Sequence, residues 1–146
     1  MSSSLNPVFA YTVIYVRDVA KSVAFYSKAF GYSVRRLDES HRWGELDSGQ
    51  TTIAFTPMHQ CETEGRSGVV HTPGSGQGRL PIEVCLAFKD VDAAYKRAVE
   101  NGAVAVSNPE EKEWGQKVGY VRDIDGIIVR MGSYVQPQKH DGPKLD

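Results

Sequence analysis

The residue types best suited to metal binding or acid–base chemistry are few in this sequence of 146 residues. The four histidines, His41, His59, His71 and His140, lie at predicted strand ends, in a linker or in the tail, and no two have the spacing of a metal-ligand pair. Cys61 lies in a polar loop and Cys85 in an apolar run, without a short metal-type spacing between them. We therefore expect solvated histidines rather than ligands, and no disulfide in a reducing compartment.

Aromatic and charged side chains offer a different chemistry, in which a small molecule binds against a partly aromatic, partly ionic wall. Candidates for the aromatic part are Trp43, Trp114, Tyr15, Tyr120 and Tyr134. Candidates for a polar rim, all on predicted third strands, are Arg42, Glu45, Gln116, Lys117 and Arg122, although a solvated strand face explains them equally well. Because a strand aromatic is more often core than pocket, only one or two of the rings are expected to touch a ligand.

Composition excludes several classes of function. Hydrophobic residues make up 40% and charged residues 24%, which is typical of a globular domain. The net charge of −1 and the absence of a basic run argue against a nucleic-acid partner. No apolar run approaches the ~18 residues of a membrane helix, and no basic-then-apolar signal segment is present, so we expect a cytoplasmic protein without a membrane partner.

The elements that position these residues occur twice. Val16-Arg17-Asp18-Val19 recurs about half a chain later as Phe88-Lys89-Asp90-Val91, and the Trp-Gly pair of Trp43 recurs at Trp114. A repeat this long indicates duplication of a module rather than a solenoid. The repeated Trp-Gly favours a shared packing or turn requirement.

Within each copy, a strand leads into a helix that is capped by aspartate and ends at glycine. The predicted helices are Ala20 to Gly31 and Asp92 to Gly102, with Asp18 and Asp90 as N-caps. The predicted strands are Phe9–Val16, Tyr32–Leu37, Arg42–Leu46 and Thr51–Thr56 in the first copy, and Ile82–Phe88, Val104–Val106, Gln116–Arg122 and Ile127–Met131 in the second. The order is βαβββ twice, an α+β fold.

One domain over residues 8–135 is expected, with modules at 8–58 and 81–135. Residues 59–80 join them, rich in Gly, Ser, Thr and Glu, and predict either a mobile linker or a lid over a pocket. Residues 136–146 predict a disordered tail.

The duplicated order and the late Asp123-Ile124-Asp125-Gly126 turn resemble the vicinal oxygen chelate family, which includes glyoxalases, bleomycin-resistance proteins and extradiol dioxygenases. Stretches such as His41 to Leu46 and Glu113 to Gln116 are similar to plant desiccation-induced members. The resemblance implies a curved mixed β-sheet bowl with helices outside, and a homodimer. It also implies that catalytic members hold a divalent metal with inward-facing residues of the first and fourth strands of each module.

Carried onto this sequence, those four positions are Tyr11, Ala54, Glu83 and Arg130. Alanine supplies no ligand and a guanidinium brings positive charge to a cation site, so we expect no metal cofactor. Glu83 and Arg130 are expected across the bowl from each other with the Tyr11 hydroxyl between them, either as a structural ion pair or with Arg130 binding an anionic ligand. An ion-paired Glu83 would be a poor base near neutral pH.

Three functions follow from the resemblance and this residue set. The favoured one is metal-independent binding of a small molecule, with a stress-related role as one option, by Tyr11, Ala54, Glu83, Arg130, Trp43, Tyr120 and Arg122. The second is a glyoxalase-type lyase or a related metal-dependent isomerase or dioxygenase. The third is a pseudo-enzyme that binds another protein. Because fold alone does not confer chemistry, the ligand set decides for binding, and catalytic residues are not assigned.

Overall fold

The computed structural model describes residues 5–49, 51–59, 71 and 78–134. The first module comprises β1 (Tyr11–Val16), α1 (Val19–Phe30), β2 (Ser33–Leu37), β3 (Gly44–Ser48) and β4 (Thr51–Pro57). The second comprises β5 (Val84–Phe88), α2 (Val91–Glu100), β6 (Val104–Glu111), β7 (Lys117–Arg122) and β8 (Ile128–Ser133). The predicted βαβββ order is confirmed in both. Most of the 59–80 segment and all of the 136–146 tail, with Cys61 and His140, lie outside the described residues.

Each module forms its own four-stranded mixed sheet. The strand orders are β1-β4-β3-β2 and β5-β8-β7-β6, and the first pair in each sheet is parallel while the others are antiparallel. Residues of the edge strands β1 and β5 line the same cavity, which shows that these two edges lie close together. The mixed-sheet α+β class predicted from the sequence is confirmed.

The helices begin and end where the capping chemistry predicts. The side chains of Asp18 and Asp90 accept hydrogen bonds from the N–H groups of Lys21 and Ala93, at 3.0 Å each. Helix α1 ends at Gly31 with a left-handed φ of 85°, a conformation that costs glycine little. Helix α2 ends at Glu100 with Asn101 as its C-cap, one residue before the predicted Gly102.

Both helices cover one face of the sheets, and the core lies between. Tyr26, Leu46, Phe55, Val121, Val129 and Met131 are among the residues that have no exposed surface there. The alternation of buried and open positions along the strands shows that the opposite face carries Tyr11, Val13, Glu45, Cys85, Tyr120 and Arg130. We call this second surface the bowl face.

Two strand boundaries differ from the prediction, at places where buried and exposed side chains do not alternate regularly. β6 extends to Glu111, well beyond the predicted Val106, with two irregularities in its pairing to β7. Ile82 is 65% exposed and precedes the start of β5, although the predicted strand began at this residue.

A buried fastening joins the two modules. Asp123 and Asp125, in the β7–β8 turn of the second module, are each 2% exposed. Asp123 accepts a 2.7 Å hydrogen bond from the Tyr26 hydroxyl of α1, and Asp125 accepts bonds from Ser22 at 2.9 Å and from the Arg17 side chain at 3.1 Å. The turn predicted at these residues is therefore also the contact that holds the second module against the first helix.

Candidate functional site

Glu83 and Arg130 form the centre of the charged part of the bowl face. Arg130 follows the start of β8 and pairs with Cys85 of β5, which places its guanidinium beside the residue just before that strand. Its Nε donates to Glu83 Oε1 at 3.0 Å, and its Nη2 lies 2.8 Å from the same oxygen. The predicted contact is present, but its geometry differs from the prediction.

The expectation that Tyr11 lies between the two charges is wrong. Arg130 lies on β8 and Glu83 immediately precedes β5, the neighbouring strand of the same sheet, so the two side chains meet directly, whereas Tyr11 belongs to the other sheet. Within the described part of the chain, the Tyr11 hydroxyl bonds to neither of them. The sequence repeat identified equivalent positions, but it did not show that the first and fourth strands of a module are adjacent.

A second arginine completes this cluster. Arg79 Nη2 donates to Glu83 Oε2 at 2.9 Å, so the carboxylate is held between two guanidinium groups. Burial raises the pKa of Glu83, and the hydrogen bonds from Arg79 and Arg130 outweigh that effect and leave the pKa below its usual value. For Arg130, burial lowers the pKa but the bond to Glu83 raises it above its usual value. Both groups are therefore charged at neutral pH, and the cluster of three carries one excess positive charge.

Aromatic contact fixes the orientation of Arg130. Its guanidinium carbon lies 5.4 Å from the centre of the Tyr120 ring, and Tyr120 pairs with Arg130 across β7 and β8. Arg122, two residues further along β7, donates to the carbonyl oxygens of Gly78 at 2.9 Å and Gly126 at 2.7 Å. Arg122 therefore holds backbone at the edge of the site.

The other sheet contributes an aromatic part. The rings of Tyr11 and Trp43 meet edge to face, with centres 6.2 Å apart, and Tyr11 is 52% exposed. The Trp43 indole donates to Glu45 at 2.7 Å, and Arg35 lies 3.7 Å from the same carboxylate. Ala54, a strand partner of Glu45, is fully buried and has no surface to offer a ligand.

In the repeated Trp-Gly pair, the two tryptophans make equivalent hydrogen bonds, but the two glycines are required for different reasons. Trp114 donates to the Gln116 side chain at 2.9 Å, just as Trp43 does to Glu45 two residues on. The glycines differ: a Cβ on Gly44 would lie 2.5 Å from Val23 Cγ2, whereas Gly115 has a positive φ of 88°. Packing requires the first glycine and a turn requires the second.

The four positions at which catalytic members hold a metal do not suit a divalent cation here. Ala54 has no donor atom, and Arg130 brings a positive charge that is bonded to Glu83. Among the described residues, no group of three His, Cys, Asp or Glu side chains is arranged to hold a metal ion.

Sequence reasoning missed Arg79 and Arg35. Arg79 lies in the segment assigned to the linker, and its spacing of four residues from Glu83 signals a pair only on a helix, which this segment does not form. Arg35 contacts Glu45 and donates to Thr52 at 2.6 Å, a cross-strand relation that depends on the register of β2, β3 and β4. Of the predicted rim residues, Gln116 donates to the carbonyl oxygen of Ser133 at 2.8 Å and Lys117 pairs with Asp92.

The chain is a duplicated βαβββ protein in which the first and fourth strands of each module are adjacent, and comparison assigns that arrangement to a superfamily. Residues 8–131 match the model of the Glyoxalase/Bleomycin resistance protein/Dioxygenase superfamily, so the chain belongs to that superfamily. No helix in the described ranges is both long and apolar enough to cross a membrane.

Similar proteins and solved structures match most of this chain. An uncharacterized protein of Mycobacterium bovis is 28% identical over 143 residues, which are 97% of this chain and 92% of the relative. An uncharacterized protein of Arabidopsis thaliana is 30% identical over 124 residues, 79% of this chain and 71% of the relative, and gives the similarity to plant proteins weak support. The crystal structure of a glyoxalase-related enzyme from Fulvimarina pelagi shares the fold, with a TM-score of 0.72 at 19% identity over 93% of this chain and 95% of that one.

Proposed function

We propose that this protein binds a small anionic molecule at the bowl face, with Arg130 as the anchor and without a metal ion. The observation that carries the proposal is the cluster of Arg79, Glu83 and Arg130, in which one carboxylate is shared by two guanidinium groups. The side chain of Arg130 is 37% exposed, so its remaining donors face the bowl. An arginine that is oriented by an aromatic ring and an acidic partner is well suited to bind a carboxylate.

The same geometry argues against proton transfer as the main task. A general base works best when its pKa lies near the operating pH, and the two arginines hold the pKa of Glu83 below its usual value. Glu83 therefore serves as an internal anion that partly neutralises the arginines. An incoming anionic ligand either shares the two arginines with Glu83 or displaces the Glu83 carboxylate from them.

The test is a panel of small carboxylates and inorganic phosphate, screened by thermal stabilisation and followed by calorimetry. Arg130→Gln should weaken binding of the stabilising anion about tenfold or more, because a charge-assisted hydrogen bond is lost. Lys96→Gln is the matched control, since Lys96 is a cation of the outer helix α2 whose side chain is 79% exposed and pairs with Glu100. Equal affinity of wild type and Arg130→Gln for every anion that binds would refute the proposal.

Glu83→Gln distinguishes binding from a purely structural ion pair. If Glu83 competes with the ligand, the variant should bind the same anion more tightly than wild type. If the pair serves stability alone, the variant should lose stability while anion affinity stays unchanged. Alkylation of the exposed Cys85, followed by peptide mass spectrometry, gives an independent readout, because an anion at the neighbouring Arg130 should slow it.

We also propose a homodimer, supported by the two outer strands. β2 is exposed along its whole length, and β6 carries Val104 and Val106 at 47% and 52% exposure. The β2 sequence includes Arg35 and Arg36 and the β6 sequence includes Glu110 and Glu111, so the two edges have opposite charge. Uncovered strand edges of this kind are usually paired or protected.

Light scattering coupled to gel filtration tests the dimer. Arg36→Glu and Glu110→Lys should each shift the protein toward monomer, and the double variant should restore the dimer. A monomeric wild type would contradict the proposal, and so would a dimer whose molar mass is unchanged by both single substitutions.

A further inference from the structure

A narrow cleft lies between β1 and the segment that leads into β5. Its volume is 180 Å³, and its lining consists of Thr12, Val13, Ile14, Tyr15, Leu80, Ile82, Glu83, Val84 and Ile127. Among these lining residues Glu83 is the charged one, and most of the others are aliphatic. The cleft is therefore an apolar space with a carboxylate at one side.

The cleft opens beside the charged cluster. Leu80, Ile82 and Glu83 also line a wide, open depression of 700 Å³, together with Arg79 and Cys85. Because the two cavities share these three residues, a molecule whose anionic group meets Arg79 or Arg130 can extend its apolar part past Glu83 into the cleft. Glu83, which bonds to both Arg79 and Arg130, therefore borders the cleft as well as the charged cluster.

Charge and size limit what fits this site. The cluster has one excess positive charge, which favours a monoanion over a dianion such as phosphate. The site already holds one carboxylate, that of Glu83, so the planar carboxylate geometry suits its guanidinium groups. An apolar cavity of ~150 Å³ is known to accommodate benzene, so a cleft of 180 Å³ has room for one ring but not for a fused pair.

We infer that the ligand is a small monocarboxylate whose apolar part is a single ring or a short acyl chain. The carboxylate binds at Arg130 and Arg79, and the apolar part fills the cleft beside Val13. This inference rests on the proposed anion site, because Arg130 anchors the molecule, and it adds the size and chemistry of the rest of the ligand.

Four probes separate the two parts of the site by calorimetry on the full chain. Phenylacetate carries both groups, acetate lacks the ring, 2-phenylethanol lacks the charge, and 1-naphthylacetate carries a second ring. Phenylacetate should bind about tenfold or more tightly than acetate or 2-phenylethanol, since each of these loses one set of contacts. 1-Naphthylacetate should bind no more tightly than phenylacetate.

Substitution of the cleft gives the decisive comparison. Val13→Phe should fill the cleft and weaken phenylacetate about tenfold while leaving acetate unchanged. Val99→Phe is the matched control, a valine of helix α2 that is 39% exposed, and should change neither. If circular dichroism shows that Val13→Phe does not fold, Ile82→Trp replaces it, because Ile82 is 65% exposed and lines the same cleft.

The outcomes distinguish this inference from the proposed function. If phenylacetate and acetate bind equally and both depend on Arg130, the cleft has no role and the inference is overturned, while the anion site stands. If no anion depends on Arg130, both fall. Tight binding of 1-naphthylacetate, unaffected by Val13→Phe, would also overturn the inference.

Discussion

Tyr26→Phe tests the fastening between the two modules with the removal of one atom. The Tyr26 ring is fully buried and its hydroxyl donates to Asp123 Oδ2 at 2.7 Å. Asp123 Oδ1 keeps its bonds from the backbone N–H groups of Asp125 and Ile127, at 2.9 Å each. The substitution therefore leaves one oxygen of a buried carboxylate without its donor.

The expected cost follows from the charge of the acceptor. A hydrogen bond to a charged group contributes ~1.5–3 kcal/mol, and in a protein of this size that corresponds to a fall in Tm of about 3–12 °C. Tyr95→Phe is the matched control, because the Tyr95 ring is also buried and its hydroxyl donates at 3.1 Å to a neutral acceptor, the Tyr120 carbonyl. A neutral hydrogen bond contributes ~0.5–1.5 kcal/mol, so this variant should lose less.

Calorimetric unfolding at two pH values is the assay. Burial raises the pKa of Asp123 above its usual value, against the lowering effect of the Tyr26 hydrogen bond. The Tyr26 hydroxyl stabilises the ionised form of Asp123. The loss of unfolding free energy in Tyr26→Phe should therefore reach its full value above the folded pKa of Asp123. It should shrink as the pH falls through that pKa. A deficit no larger than that of Tyr95→Phe, or one that does not change with pH, would refute the reasoning.

Two further predictions concern other close contacts. Gly44→Ala should cost ~1–3 kcal/mol of unfolding free energy, because the added Cβ would lie 2.5 Å from Val23 Cγ2; an unchanged urea midpoint would contradict this account of the Trp-Gly pair. Asp123→Asn should flatten the pH dependence of stability. The raised folded pKa of Asp123 gives the wild type a contribution that is full below the unfolded value of about 3.9 and is lost as pH rises through the folded pKa, and asparagine does not titrate. Urea midpoints measured across that window should show a smaller slope for the variant, and parallel curves would count against the assignment.

The fold could be predicted because its signals are local or repeated. Aspartate caps, glycine stops and strand alternation act within a few residues, and the duplication let each copy support the other. The contact of Glu83 with Arg130 was also predictable, since two partly buried side chains of opposite charge that line the same bowl rarely stay unpaired. Its geometry was not, because the adjacency of the first and fourth strands depends on topology rather than on spacing.

The fastening shows why the rest was out of reach. Asp123 and Asp125 have the sequence of an ordinary turn, and nothing near them along the chain indicates that their partners lie about a hundred residues earlier on α1. Arg79 was hidden in the same way, by a segment whose composition predicts only a linker. Long-range partners of charged side chains depend on how the modules meet.

The fastening also bears on how the duplication has diverged. All its side-chain donors, Arg17, Ser22 and Tyr26, lie in the first half, and both acceptors lie in the second. At the positions equivalent to Ser22 and Tyr26, α2 carries Ala94 and Ala98, and the corresponding turn of the first half contains Ser48-Gly49. A chain built from two copies of the first half would lack the carboxylate acceptors. A chain built from two copies of the second half would lack the hydroxyl donors. The two halves have therefore diverged into complementary parts, and neither can be replaced by a copy of the other without loss of these contacts.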